Sequence, residues 1–197
     1  MKQQYVRRAL LAIATAVAVL GLAAACGGSG DMSGMNHSAA PAASHPAGTG
    51  HNSADVMFAQ MMIPHHQQAV EMANLAPTRA SSADLKKLAA QIKDAQDPEI
   101  ATMRGWLKTW GEPTSSGSMH MSDGMMSDSD MAKLKAAKGM DFDMMFAQMM
   151  IAHHNGAISM ARDEVKNGQN AATIKLARQI ITSQSAEIKT LRKYASM

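Results

Sequence analysis

The chain has 197 residues, 46% hydrophobic, 18% charged and 4% aromatic, with 20 methionines, 8 histidines and 1 cysteine. That length holds one ordinary domain plus tails, and a lone cysteine excludes an intramolecular disulfide framework and any Cys-based zinc or iron–sulfur site. The formal net charge of +3 comes from Lys2, Arg7 and Arg8 near an acid-free N-terminus; the rest of the chain is formally neutral, which removes the electrostatic argument for nucleic-acid binding.

Lys2 to Arg8 form a positive segment, Leu10 to Ala25 an apolar run, and Leu22-Ala23-Ala24-Ala25-Cys26-Gly27-Gly28 follows. Residues 1–25 therefore read as a secretory signal with small residues before its cleavage point. A cysteine directly after that point resembles a bacterial lipobox, with Ala23 where Leu is commonest. The resemblance implies a diacylglycerol-modified Cys26 and a lipid anchor to the cell membrane, since more than one acyl chain gives stable attachment where one does not. The alternatives are an uncleaved membrane anchor and a secreted protein with a free thiol; in each case the folded part works outside the cytoplasm. Residues 26–53, built largely from Gly, Ser, Ala, Pro, Met and His, read as a flexible tether that carries Met32, Met35 and His37.

Residues 54–197 are expected to form a duplicated helical bundle, with repeat 1 over 55–110, a crossover loop over 111–129 and repeat 2 over 130–197. The segment Asp55-Val56-Met57-Phe58-Ala59-Gln60-Met61-Met62-Ile63-Pro64-His65-His66 returns as Asp143-Met144-Met145-Phe146-Ala147-Gln148-Met149-Met150-Ile151-Ala152-His153-His154. At the same offset Leu88 matches Leu176, Ile92 matches Ile180, Gln96 matches Gln184 and Glu99 matches Glu187, so the duplication extends through a second element. Apolar residues at 58, 62, 63, 69, 70 and 73 have helical spacing. A second helix is predicted over Ala83 to Trp110, with Ser82 and Asp84 able to cap its start and Gly111 its end. Pro64 and Pro98 each remove one helical hydrogen bond, but their counterparts are Ala152 and Ala186, so neither need end its helix. In the second copy Lys166-Asn167-Gly168 reads as the turn. Two hairpins joined by a long crossover predict an all-α, four-helix ferritin-like bundle.

Consecutive helical residues point about 100° apart, so His65 and His66 are expected to belong to two stripes and not to chelate one ion together. Met57, Met61, His65, Gln68 and Met72 share one stripe and Met62 and His66 the next; the second copy gives Met145, Met149, His153, Gly156 and Met160 beside Met150 and His154. Each histidine has a methionine one turn before it: Met61, Met62, Met149 and Met150. Thioethers suit Cu(I) and imidazole suits copper among other first-row metals. Methionine has no proton to lose, so it stays a ligand in an oxidising or acidic compartment where a thiol is lost. The tether repeats the pairing, and so does the crossover, in Met119, His120, Met121, Met125 and Met126; these segments have no core to fill and are assigned as weaker sites.

Packing is the simpler account of Met57, Met72, Met145 and Met160 taken singly, and capping is favoured over ligation for Asp55 and Asp143. Glu99 and Glu187 are open between a site role and pairing with Arg104 or Arg192. The Glu-x-x-His motif of di-iron bundles is absent, since Asn74, Thr102, Asn167 and Thr190 stand three residues after the glutamates in question. His-Glu-x-x-His, phosphate-loop and Gly-x-Ser-x-Gly motifs are missing too. No catalytic residue and no enzyme activity is expected.

The repeated Asp-x-x-Phe-x-x-x-Met-x-x-His-His-x-x-Ala-x-x-Met-Ala element resembles the signature of the domain of unknown function 305 (DUF305) family. It stands here as Asp55, Phe58, Met62, His65, His66, Ala69, Met72 and Ala73, then Asp143, Phe146, Met150, His153, His154, Ala157, Met160 and Ala161. The resemblance spans about residues 53–196 and implies a ferritin-like bundle and extracytoplasmic copper binding. The expected function is a membrane-tethered protein that buffers or hands over Cu(I), or Ag(I), to a metal-transfer partner, acting in resistance or delivery. Its rivals are an envelope interaction module without metal and a copper-dependent oxidase. Gly156 in place of Gln68, and Ser159 in place of Glu71, make the copies inequivalent.

Overall fold

A computed structural model describes residues 50–115 and 124–196. They form five α-helices: α1 (Ser53–Arg79), α2 (Ala83–Trp110), α3 (Asp128–Ala136), α4 (Gly139–Asn167) and α5 (Ala171–Leu191). The fold is the all-helical bundle the repeat predicts, with the short α3 added ahead of the second copy. Cys26, Met32, Met35, His37, Met119, His120 and Met121 lie outside the described residues, as does the signal segment. Among the described residues no helix is long and apolar enough to cross a membrane.

Local chemistry sets the helix ends. Asn52 caps α1 by accepting from the backbone N–H groups of Ala54 and Asp55, while the Asp55 carboxylate accepts from Asn52 N. This reciprocal arrangement satisfies donors that a helix start otherwise strands. Ser82 caps α2 through Leu85 N, and α2 closes at Gly111, whose φ of 74° is the left-handed conformation that favours glycine. Asn170 caps α5, and Gly168 follows the last residue of α4. Helix α1 runs unbroken through Pro64 and Pro77, and α2 through Pro98.

Helix α1 packs on α2 and α4 on α5, and the two hairpins meet through α1 and α4. These central helices are antiparallel. Asn52, at the start of α1, donates its side-chain amide to the carbonyl of Asn167, at the end of α4, and Ala80 at the other end of α1 bridges Gly139 at the start of α4. The duplication thus becomes an approximate two-fold relation between hairpins.

The apolar interior is divided. One cluster holds Met72, Leu85, Ile92, Leu134, Phe142, Phe146 and Met150; the other holds Phe58, Met62, Met103, Leu107, Ala161 and Ile180. Met62, Met72, Met103 and Met150 are fully buried, each contributing about 1.5–3 kcal/mol by leaving water. Between these clusters lies a layer of buried polar side chains.

Candidate metal centre

All four paired histidines, His65, His66, His153 and His154, are 0% exposed. The spread between neighbouring residues sends each pair to two different interfaces. His65 faces His153 across the α1–α4 contact, ring centroids 3.7 Å apart and tilted by 37°. His66 turns toward α2, where its Nε2 meets Glu99 Oε2 at 2.8 Å, and His154 turns toward α5, where its Nε2 meets Glu187 Oε2 at 2.7 Å. A carboxylate only accepts, so each Nε2 donates, and in the neutral form of the ring that leaves Nδ1 with its lone pair. The Nδ1 atoms of His66 and His154 are buried without a hydrogen-bond partner.

Glu99 and Glu187 thus hold imidazoles, and the alternative pairing with Arg104 or Arg192 is not the one formed. Carboxylates in this position fix ring orientation and tautomer behind a metal-binding nitrogen. Gln96 and Gln184, 2% and 3% exposed, belong to the same buried polar set; neither side-chain atom of Gln96 has a partner, nor does Gln184 Oε1. Each unsatisfied buried group costs about 1–3 kcal/mol, so the layer is an expense that packing alone does not explain. Burial, followed by repulsion from His65, His154 and His66, holds the His153 imidazole well below its ordinary pKa. A neutral ring is the form that binds metal.

The methionines divide by depth. Met62 and Met150 are completely enclosed on the helices that carry His66 and His154, Met72 is equally buried and Met149 nearly so. Met61, Met145 and Met160 are half-buried, and Met57 is 57% exposed. Met61 lines a cavity with Met57 and Met160 from the opposite hairpin, a cross-helix grouping that the one-turn Met–His pairing did not anticipate. Met125 and Met126 are half-buried in the segment that leads from the crossover into α3. Among the described residues no three His, Cys, Asp or Glu side chains form a group able to hold an ion.

Asp55 and Asp143 join the hairpins. Asp143 lies inside α4, not at its start, and accepts from Ser81 N, Ser82 N and the Ser81 hydroxyl at the beginning of α2. Asp55 accepts from Gln169 N, Asn170 N and the Thr173 hydroxyl at the beginning of α5, in addition to closing its own cap. The preference for capping over ligation holds, but each aspartate caps a helix of the other hairpin. Burial raises the Asp55 carboxyl, yet the bonds from Thr173, Asn52 and Asn170 outweigh it and leave the group below its usual value.

Position 68 and its counterpart 156 carry the crossover. Gln68 clasps Met126, donating to its carbonyl at 2.9 Å and accepting from its N–H at 2.7 Å. On α4 the matching residue is Gly156, and Gly124 passes directly over it: a Cβ on Gly124 would sit 2.7 Å from Ala152 O and 3.1 Å from the Gly156 Cα. Gln68 pins the strand of chain that Gly156 lets through. The inequivalence at these positions is the route of the connection.

The described residues form a helical bundle with a buried double-histidine layer repeated about an approximate two-fold relation. The sequence profile of the domain of unknown function DUF305 matches residues 55–195, and the chain belongs to that family. A DUF305 protein of Streptomyces coelicolor assigned as secreted is 34% identical, with 71% of this chain and 90% of that chain covered and a TM-score of 0.68. A DUF305 fragment from Deinococcus radiodurans is 28% identical over 73% of this chain and 96% of that one, with a TM-score of 0.67. CopM in its Cu(I)-bound form is 37% identical over 71% of this chain and 94% of that chain, with a TM-score of 0.61; CopM also has Cu(II)-bound and Ag-bound forms. No curated protein matches the sequence significantly.

Proposed function

We propose that this protein binds Cu(I), and Ag(I) in its place, outside the cytoplasm, tethered to the membrane through Cys26, and that it buffers the ion or passes it on without catalysing a reaction. The observation that carries the reading is the polar layer: four fully buried imidazoles, two of them held at Nε2 by Glu99 and Glu187 with Nδ1 left without a partner. The likeness to CopM, which binds Cu(I), Cu(II) and Ag, supports the choice of metal. In this reading His65, His66, His153 and His154 supply nitrogen, and Met61, Met62, Met149 and Met150 supply sulfur. The soft thioethers select the univalent ion, and Glu99 and Glu187 keep the rings in the binding tautomer.

The test is competition for Cu(I) between the reduced mature protein and a chromophoric chelator. The expected result is tight binding at the histidine layer that weakens by about 100-fold when Glu99 and Glu187 are both replaced by Ala, at the upper end for lost orienting partners, and a loss of bound Cu(I) stoichiometry when all four histidines are replaced. Unchanged stoichiometry and affinity after the fourfold replacement overturn the ligand assignment.

A further inference from the structure

The two ends of the α1–α4 pair are related by the duplication, and their side chains differ in kind. At one end Ala54, Met57, Met61, Met160, Glu164 and Asn167 line a cavity of about 210 Å³. At the other, the positions matching Ala54, Asp163 and Glu164 hold Phe142, Leu75 and Ala76. Phe142 and Ala76 are 0% exposed and pack into the apolar cluster with Met72 and Met149. One end is plugged with hydrocarbon; the other keeps a cavity that Glu164 helps to line.

Glu164 is the uncommon part of this end. It is 2% exposed, and neither carboxylate oxygen has a hydrogen-bond partner among the described residues. Its neighbour Asp55 accepts from Gln169, Asn170 and the Thr173 hydroxyl, and that hydroxyl only partly offsets the effect of burial on Glu164. A buried carboxylate without donors is expensive unless a cation compensates it. Three thioethers share the cavity with it, and their preference is for a soft ion. The exposed Asp163 lines the same cavity, so the charge at this end favours a cation and it is the three sulfurs that favour a soft, univalent one.

We propose that Met57, Met61, Met160 and Glu164 form a second, solvent-accessible site for a soft univalent cation, Cu(I) or Ag(I), present at this end of the bundle only. The site rests on the metal-binding reading above and adds to it an outer station, reached from solvent beside the exposed Met57 and sharing Met61 with the enclosed histidine layer. Glu164 enters as a ligand, or as the charge partner of the bound ion, that the repeat of the sequence does not contain.

The probe is Ag(I), which needs no reductant, added to the mature protein carrying ¹³C-methyl methionine, with imidazole resonances followed in parallel. The expected result is a shift of the Met57 and Met160 methyls at low Ag(I), with Met72 and Met145 unmoved in that range. Glu164→Gln, which preserves shape, should weaken the response of those two methyls by about tenfold or more for the loss of one close opposite charge, with methyl dispersion showing an intact fold. Ala54→Phe, which imports the plug of the other end, should abolish it. If imidazoles shift but these methyls do not, or if Glu164→Gln responds as the parent does, the outer site is overturned and the metal-binding reading stands. If neither methyls nor imidazoles respond, the metal-binding reading fails and takes the site with it.

Discussion

In the polar layer the two copies of the repeat do the same thing: His66–Glu99 at 2.8 Å is answered by His154–Glu187 at 2.7 Å, and Gln96 by Gln184. At the ends of the bundle they part company, Ala54 and Glu164 on one side standing against Phe142 and Ala76 on the other. The difference teaches where symmetry is useful. Side chains that must meet across the two-fold relation are kept in step by the helices that cross there, whereas the ends answer only to their own surroundings and can take different tasks.

The sharpest way to break this comparison is to remove the plug. Phe142→Ala should destabilise the protein by about 3–5 kcal/mol, the range for emptying an aromatic core position, in chemical denaturation; a loss below about 1 kcal/mol would mean that this end is not tightly packed. Next in size are the cross-hairpin caps. Asp143→Ala strips an acceptor from Ser81 and Ser82 and should cost about 1–3 kcal/mol. Asp55→Ala should cost less above neutral pH than below it, because it also relieves Glu164 of a neighbouring negative charge.

Smaller still is the clasp on the crossover. Gln68→Ala removes two hydrogen bonds to Met126, worth about 1–2 kcal/mol together, and should speed proteolysis of the crossover more than it lowers the melting temperature. The smallest effect is a slope. Burial, with the Asp55 carboxylate acting in the same sense against the Thr173 hydroxyl, raises Glu164 from 4.5 to about 7. The folded metal-free protein therefore holds this proton to higher pH than the unfolded chain does, and stability declines as pH rises from about 4.5 to about 7. Glu164→Gln should flatten that part of the profile of melting temperature against pH; an unchanged slope would assign it to another group.

Much of this architecture was legible in the residues. The duplication, the span of α2 from Ala83 to Trp110 with its Ser82 cap and Gly111 stop, and the divergence of His65 from His66 all follow from local periodicity and capping. The partners were harder. Glu99 recurs as Glu187, but which face of α2 turns toward α1 depends on how the helices cross, so His66 could not be matched to it from spacing. Asp143 looked like a cap for its own helix because sequence offers only near neighbours, and its actual partners at Ser81 and Ser82 are distant in the chain. Gln96 and Gln184 repeat, yet glutamine is an ordinary helix former and repetition does not mark it as buried. Glu164 left no trace at all, since its counterpart is Ala76 and a search for recurring residues passes over it.

The graded depth of the methionines has a chemical corollary. A thioether exposed to peroxide or hypochlorite becomes a sulfoxide, polar and no longer a soft donor. Met140 and Met57, 68% and 57% exposed, meet such oxidants first among the described residues, while Met62, Met72 and Met150 are sealed from them. Oxidative damage should therefore erode the rim of the molecule before its interior, and a methionine sulfoxide reductase acting on that rim would have a substrate within reach.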